Sequence, residues 1–368
     1  MKISFKFMLL NRGIMIDVIK HGIILEKTEN LFENFGIRNS GAYQEGETVH
    51  LFYQAMGEDS TSCIGYCKLE GPLKVVERWT RPIFCPDKDT EIVSFEDPRI
   101  VKILDTYYLS YSAFDGVNVF GSYATSNDLK IWKPKGVLTP KFTIEEYGTF
   151  MEHLFDRISE QHFQFYYLFM RQKLKDSLIE KKYVTDRSAV FFPKKIKESF
   201  IFLHELHPSI QLVCFKDLSK LTPEFWEEYI FNLEKHILME PKYQHENFHV
   251  GAGAPPVETE LGWLLIYHST EITPKGFVYH VCAALLDLKD PSKLIARLKK
   301  PLFSPTEPYE TKGYVENVIF PTGTAQFKDD LYIYYGTSAA KLAVASVNLK
   351  SLLEALKKNA KKKKTQYP

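Results

Sequence analysis

The feature that most limits what this chain can fold into is a unit of short strands that keeps returning. Thr48–Ala55 and Ser62–Lys68 read as two strands, and Arg99–Leu104, Thr106–Ala113 and Val119–Ser126 follow as the next set. The pattern recurs at Ala189–Phe192, Ser199–His204 and Ile210–Phe215, then at Val250–Val257, Gly262–His268 and Phe277–Leu286. It recurs last at Val318–Gln326, Leu331–Gly336 and Leu342–Val347. The later sets end on a similar step: Asp128-Leu129, Asp217-Leu218, Asp287-Leu288 and Asn348-Leu349. Repeats of this size, built from short strands, are the pattern of propeller blades. The expectation is an all-β, five-bladed β-propeller with a few peripheral helices. Residues 1–368 would form one domain, with blades over about 33–350 and no more than three legible strands in each.

One segment, about 144–184, breaks the rhythm between the second and third units. Phe150, Leu154 and Ile158, then Tyr166, Tyr167, Phe169 and Met170, read as a helix followed by a strand. The spacing of Phe225, Trp226, Tyr229, Ile230 and Leu233 predicts a helix over Pro223–Leu238, and Ser351–Lys358 predicts another. The basic stretch 357–368 reads as a solvated end.

The formal net charge of +1 gives no overall field for nucleic acid, and no stretch approaches membrane-spanning length. Phe7–Leu10 is too short an apolar run for a signal peptide, so the expected location is cytoplasmic. Cys63, Cys67, Cys85, Cys214 and Cys282 are scattered and odd in number, which predicts reduced thiols.

A propeller collects its site in the central channel, where loop ends from several blades converge. Polar residues near the strand starts are therefore the candidates. They include Asn39, Ser40 and Gln54 in the first unit, and Glu96-Asp97-Pro98-Arg99 with Tyr111 in the second. Arg187 and His204-Glu205-Leu206-His207 follow, then Glu258 with Tyr267-His268, and finally Glu316. Pro98 fixes its own φ and pushes Asp97 toward extended geometry, so the Glu-Asp-Pro-Arg string predicts a loop that holds one carboxyl rigidly at a pocket mouth. His204 and His207 match neither a helical pair nor a standard zinc string, so no metal is expected.

These strings carry a resemblance. Glu96-Asp97-Pro98-Arg99, Phe191-Phe192-Pro193-Lys194-Lys195-Ile196, Gly251-Ala252-Gly253-Ala254-Pro255-Pro256, Gly262–His268 and Tyr334-Tyr335-Gly336 resemble glycoside hydrolase family 130, the β-mannoside phosphorylases and β-mannosidases. The resemblance spans roughly Asn39–Leu353 and implies the five-bladed propeller, with Asp97 as general acid. It also implies departures. Glu205 stands where family phosphorylases place a phosphate-binding arginine, and Glu258 where they place a lysine. Gln54 replaces an arginine and Ala339 an aspartate that help hold the sugar.

Two carboxylates in place of two cations repel phosphate and suit water activation, as an inverting hydrolase requires. The resulting expectation is an inverting glycosidase acting on short β-mannosides or related oligosaccharides. Asp97, Glu205 and Glu258 would be catalytic. Asn39, Ser40, Gln54, Arg99, Tyr111, Arg187, His204, Tyr267, His268 and Glu316 would contact the sugar. The alternatives are a phosphate-dependent β-mannoside phosphorylase using cations such as Arg187 and His268, and a carbohydrate-binding propeller without catalysis. No cofactor, nucleic acid or membrane partner is implied, and homo-oligomerisation is left open.

Overall fold

The computed structural model describes residues 16–87, 92–164, 167 and 182–362. The chain is mostly β. Strand β1 (Val18–Leu25) comes first. Then come β2 (Gly36–Glu45), β3 (Thr48–Met56), β4 (Ser62–Glu70) and β5 (Lys74–Arg78), followed by β6 (Ser94–Ile103), β7 (Thr106–Phe114), β8 (Val119–Ser126) and β9 (Lys133–Val137). The third group is β10 (Val190–Phe191), β11 (Phe200–His204), β12 (Ile210–Phe215) and β13 (Ile237–Met239). The fourth is β14 (His249–Ala252), β15 (Val257–Thr259), β16 (Gly262–Thr273), β17 (Gly276–Leu286) and β18 (Leu294–Arg297). The fifth is β19 (Ile319–Phe327), β20 (Asp330–Thr337) and β21 (Leu342–Asn348).

Hydrogen bonding gathers these strands into two four-stranded sheets, one five-stranded sheet and one eight-stranded sheet. The eight-stranded sheet is two antiparallel units, β2–β5 and β6–β9, linked by one parallel bridge between Ser62 and Ser94. The fifth unit is completed by the start of the chain: β1 pairs antiparallel with β21.

A repeated polar cluster shows why β1 belongs there. In the first unit Tyr53 donates to buried Glu33 (2.8 Å), which also pairs with Arg78 on β5 (2.8 Å). In the fourth, Tyr267 donates to buried Glu246 (2.7 Å), which pairs with Arg297 on β18 (3.3 Å). In the fifth, Tyr335 donates to buried Glu310 (2.8 Å), whose cation is Lys20 on β1. Each cluster matches a buried carboxylate with a cation and a hydroxyl, as burial of a charge demands. Lys20 thus does from β1 what Arg78 and Arg297 do from the outer strands of their own units.

Several expectations shift. Among the described residues the strand pattern begins at Val18, not near residue 33, and the outer strands β5 and β9 were not legible because both are largely exposed and lack an apolar alternation. The Glu-Asp-Pro-Arg string lies inside β6 rather than in a loop before it. The expected strand over Tyr166–Met170 lies outside the described residues except Tyr167, which is helical, as are 160–164. The expected reduced thiols are corrected at one pair, since Cys63 and Cys85 form a disulfide that joins β4 to the segment leading into β6.

Among the described residues, three helices of eight or more residues pack onto this framework. Helix α1 (Ile144–Leu154) starts at a capping box in which Thr143 and Glu146 satisfy each other's backbone N–H groups. Helix α2 (Pro223–Phe231) is capped by Thr222, has Pro at its start, and buries Trp226, Tyr229 and Ile230. Both pack into one apolar cluster with Phe191, Phe202 and Phe215 of the third unit. Helix α3 (Leu349–Lys362) follows β21 and buries Leu352, Leu353 and Leu356 against the fourth and fifth units. Lys363 and Lys364 of the expected basic tail, and the Phe7–Leu10 run, lie outside the described residues. Among the described residues no helix is long and apolar enough to cross a membrane.

Candidate active site

Asp97 is aimed by a β-bulge. The β6–β7 register pairs Glu96 with Ser112 and then Arg99 with Ser110, so the bulged strand carries one residue more than its partner. Asp97 sits there at φ +50°, correcting the extended geometry expected before Pro98. A matching bulge between Arg38 and Ser40 puts Asn39 at φ +27° on the adjacent β2. The two bulges face each other, and the Asn39 side-chain amide donates to Asp97 Oδ1. Gly41 allows the approach, because a Cβ there would press on the backbone of Pro98 and Arg99.

Beneath the bulge lies Arg99, only 1% exposed. Its guanidinium donates to the backbone oxygens of Asp97 (2.8 Å), Gly253 (2.8 Å) and Ala252 (3.5 Å). Arg99 therefore holds the chain that carries Asp97, and does not reach the cavity where a sugar contact was expected.

Asp97 opens into a cavity of about 300 Å³ to which every unit contributes. Arg38, Asn39 and Gln54 come from the first unit, Glu96 and Asp97 from the second, and Arg187, Ser188, Glu205 and His207 from the third. His249, His268 and Tyr279 come from the fourth, and Phe320, Gly336 and Thr337 from the fifth. A larger groove of about 560 Å³ beside α2 has only Glu228 and Asp290 as lining carboxyls, and neither is buried.

The third-unit residues are fixed from behind. Ser112 donates to the Arg187 oxygen (2.8 Å) and Ser110 to the Ala189 oxygen (2.6 Å), which pins this segment to β7. Buried Asp186 accepts from His204 Nδ1 (2.6 Å) and from the Glu205 backbone N–H (3.2 Å). His204 Nε2 lies 2.7 Å from the Tyr229 hydroxyl, so His204 braces the turn instead of facing sugar.

Glu205 is 2% exposed, with Oε1 at 3.3 Å from His207 Nε2, 3.4 Å from His249 Nε2 and 4.0 Å from His268 Nε2. Burial pushes its carboxyl up to about 8. Burial likewise drives His207 down to about 4 and holds His249 and His268 well below the usual imidazole range. Glu96 is raised, first by burial and then by the adjacent Asp97. The buried Arg187 Nε lacks a protein hydrogen-bond partner.

Of the expected site residues, the structure gathers Asp97, Glu205, Asn39, Gln54, Arg187 and His268 at this cavity. It does not bring the others there. Glu258 lies on the outer β15 hairpin, 44% exposed, paired with Lys194 at 2.6 Å. Tyr267 belongs to the Glu246 cluster, and Tyr111 packs between Phe95 and Phe84. Ser40 is buried outside the lining, and Glu316 is exposed. Sequence reasoning missed His249 and Tyr279 as lining residues. The one available signal for His249 was its place two residues before Gly251-Ala252-Gly253, at the start of a strand.

Comparison with known proteins agrees over nearly the whole chain. The sequence model described as β-1,4-mannooligosaccharide phosphorylase, glycoside hydrolase family 130, matches residues 25–176 and 159–358. The chain is 29% identical over 341 residues to a 1,2-β-oligomannan phosphorylase of Thermoanaerobacter sp. (strain X514), covering 90% of this chain and 96% of that one. It is 28% identical over 336 residues to a β-1,2-mannobiose phosphorylase of the same strain, covering 87% and 92%. The fold is shared with the β-1,2-mannobiose phosphorylase of Listeria innocua in complex with β-1,2-mannobiose, at TM-score 0.67, 19% identity and coverage of 92% and 99%. It is shared too, at TM-score 0.69, 20% identity and coverage of 94% and 97%, with a structure described as one of the family's glycoside hydrolases that target β-1,2 mannosidic linkages in Candida mannan. The chain belongs to glycoside hydrolase family 130.

Proposed function

We propose that this protein cleaves short β-mannosides and transfers the glycosyl group to inorganic phosphate, with Asp97 as the proton donor. The observation that carries the acceptor is Arg187. Its guanidinium lines the cavity with a buried Nε that has no protein partner. A guanidinium with donors to spare is a natural phosphate ligand, and Arg38 adds a second from the first unit.

The sequence argument for hydrolysis needed two carboxylates at the phosphate position. Only Glu205 lines the cavity, because Glu258 is turned to the surface. The named phosphorylase relatives that cover most of this chain support the same acceptor. The five units, each lending residues to one cavity, support a five-bladed propeller with the site in its channel.

In the reaction Asp97 gives its proton to the glycosidic oxygen, directly or through a sugar hydroxyl, and the aglycone leaves as an alcohol. A phosphate oxygen supplies the electron pair for the new bond to C1 from the opposite face, giving an inverted glycosyl phosphate.

A second reading, hydrolysis, is favoured by Glu205 alone: a carboxyl group in the cavity with Asp97 is what water activation uses. The test is product analysis on β-1,2-, β-1,3- and β-1,4-mannobiose with and without phosphate, for the native chain, Asp97→Asn and Glu205→Gln. Mannose 1-phosphate formed only with phosphate, and lost in Asp97→Asn, is the expected result. Free mannose released equally without phosphate, and lost in Glu205→Gln, would replace phosphorolysis by hydrolysis. Saturable sugar binding without turnover would reduce the protein to a binding propeller.

A further inference from the structure

We propose that Glu205, His207 and His249 form a binding site for one divalent transition-metal ion of the zinc class, set in the wall of the cavity. The donor atoms, one carboxylate oxygen and one nitrogen from each imidazole, lie within 4.8 Å of one another. Two separations are decisive: 3.3 Å from Glu205 Oε1 to His207 Nε2 and 3.4 Å from the same oxygen to His249 Nε2. With zinc bonds of about 2.0–2.1 Å, the edge of a ligand tetrahedron is about 3.3–3.4 Å. His268 Nε2, at 4.0 Å from that oxygen, stands close enough to serve as a fourth donor after a small movement. Two imidazoles and a carboxylate suit zinc, cobalt or iron(II), whereas magnesium and calcium prefer oxygen alone.

One contact competes: Thr270 Oγ1 lies 3.4 Å from His249 Nε2, at the long edge of a hydrogen bond.

The sequence string could not show this site. Glu205 and His207 share the turn after β11, but His249 opens β14, far along the chain. An ion here would put positive charge near Arg187, on the wall where the Glu205 carboxyl alone would repel an anion.

The test reads binding, not turnover, so its failure leaves the phosphorolysis reading untouched. The full chain is stripped with chelator, dialysed, and titrated with Zn²⁺ by calorimetry, with Mg²⁺ as control, and with Co²⁺ by visible absorption. One Zn²⁺ per chain, no Mg²⁺ heat, and the intense Co²⁺ bands of a tetrahedral site are expected. Glu205→Gln and His249→Ala should each weaken Zn²⁺ binding about 100-fold or more, since even outer-shell losses cost about 10–100-fold. Absence of saturable one-to-one Zn²⁺ binding to the native chain would overturn the proposal. So would equal affinity in folded His249→Ala. If His249→Ala does not fold, His249→Gln, which keeps bulk and polarity, takes its place under the same criteria.

Discussion

Arg99→Lys separates a residue that touches sugar from one that positions the acid. Asp97 is held at φ +50°, a left-handed conformation that costs a residue other than glycine on the order of 1–3 kcal/mol. What holds it there is the Arg99 guanidinium, which ties the Asp97 oxygen to the Gly253 oxygen through two bonds of 2.8 Å, with a weaker third to Ala252. Lysine keeps the charge but offers a single ammonium, so it cannot span both strands as a planar fork does. Losing one charge-assisted bond and straining another removes about 2–4 kcal/mol of stability, at about 1.5–3 kcal/mol per such bond. The bulge then relaxes and the Asp97 carboxyl moves. A misplacement of about 1 Å at a reacting group costs on the order of 100-fold in rate. The expected result is a kcat about 100-fold lower with KM within about threefold of native, because substrate binding does not use Arg99. Steady-state kinetics on the best mannobiose, with thermal unfolding alongside, measures both. A KM raised tenfold or more with kcat unchanged would show that Arg99 contacts the sugar and that its interstrand bonds are incidental.

Three other outcomes are expected. Glu258→Gln should leave kcat, KM and the phosphate requirement unchanged and shift stability by less than about 0.5 kcal/mol, because an exposed ion pair with Lys194 contributes little; a phosphate KM altered tenfold in kinetic assays would return Glu258 to the site. Gly251→Ala should destabilise by about 1–3 kcal/mol and abolish most activity, since its methyl would run into Glu205 Oε2 and His268 Cε1; denaturant titration and turnover that both match the native protein would contradict that packing. Cys85→Ser should lower stability by about 3 kcal/mol, the chain-entropy value for a loop of separation 22, and native protein in reductant should match it; identical unfolding midpoints with and without reductant would mean the Cys63–Cys85 bond is not formed.

How much of this was legible in the sequence follows from what a strand pattern can encode. The repeat of strand, turn and strand was readable because apolar runs and turn residues alternate along the chain, and the helices starting at 223 and near 351 were readable because their apolar spacing changes to the helical period, although the first ends at Phe231 and the expected helical residues Ile237 and Leu238 belong to strand β13. The face of a strand is another matter. In β16 the run Gly262–Ser269 is buried on both sides, so alternation carries no mark of which side meets the cavity. Tyr267 and His268 are neighbours in sequence, yet one turns to the Glu246 cluster and the other to the cavity wall. His204 and Glu205 divide in the same way, His204 bracing Asp186 while Glu205 faces the site. A shift of one residue reverses every such assignment, which is why motif matching chose Tyr267 and His204 as readily as their neighbours. Glu258 erred for a related reason. It occupies a short strand paired at the sheet's outer end, Glu258 opposite Trp263, and its charge is met there by Lys194. A charged residue in such a chain therefore becomes a candidate for function by what it faces once folded. Asp97 and Glu205 qualify because bulge and turn carry them into a cavity shared with the unpartnered Arg187 Nε, and that property belongs to the pairing of strands far apart in sequence.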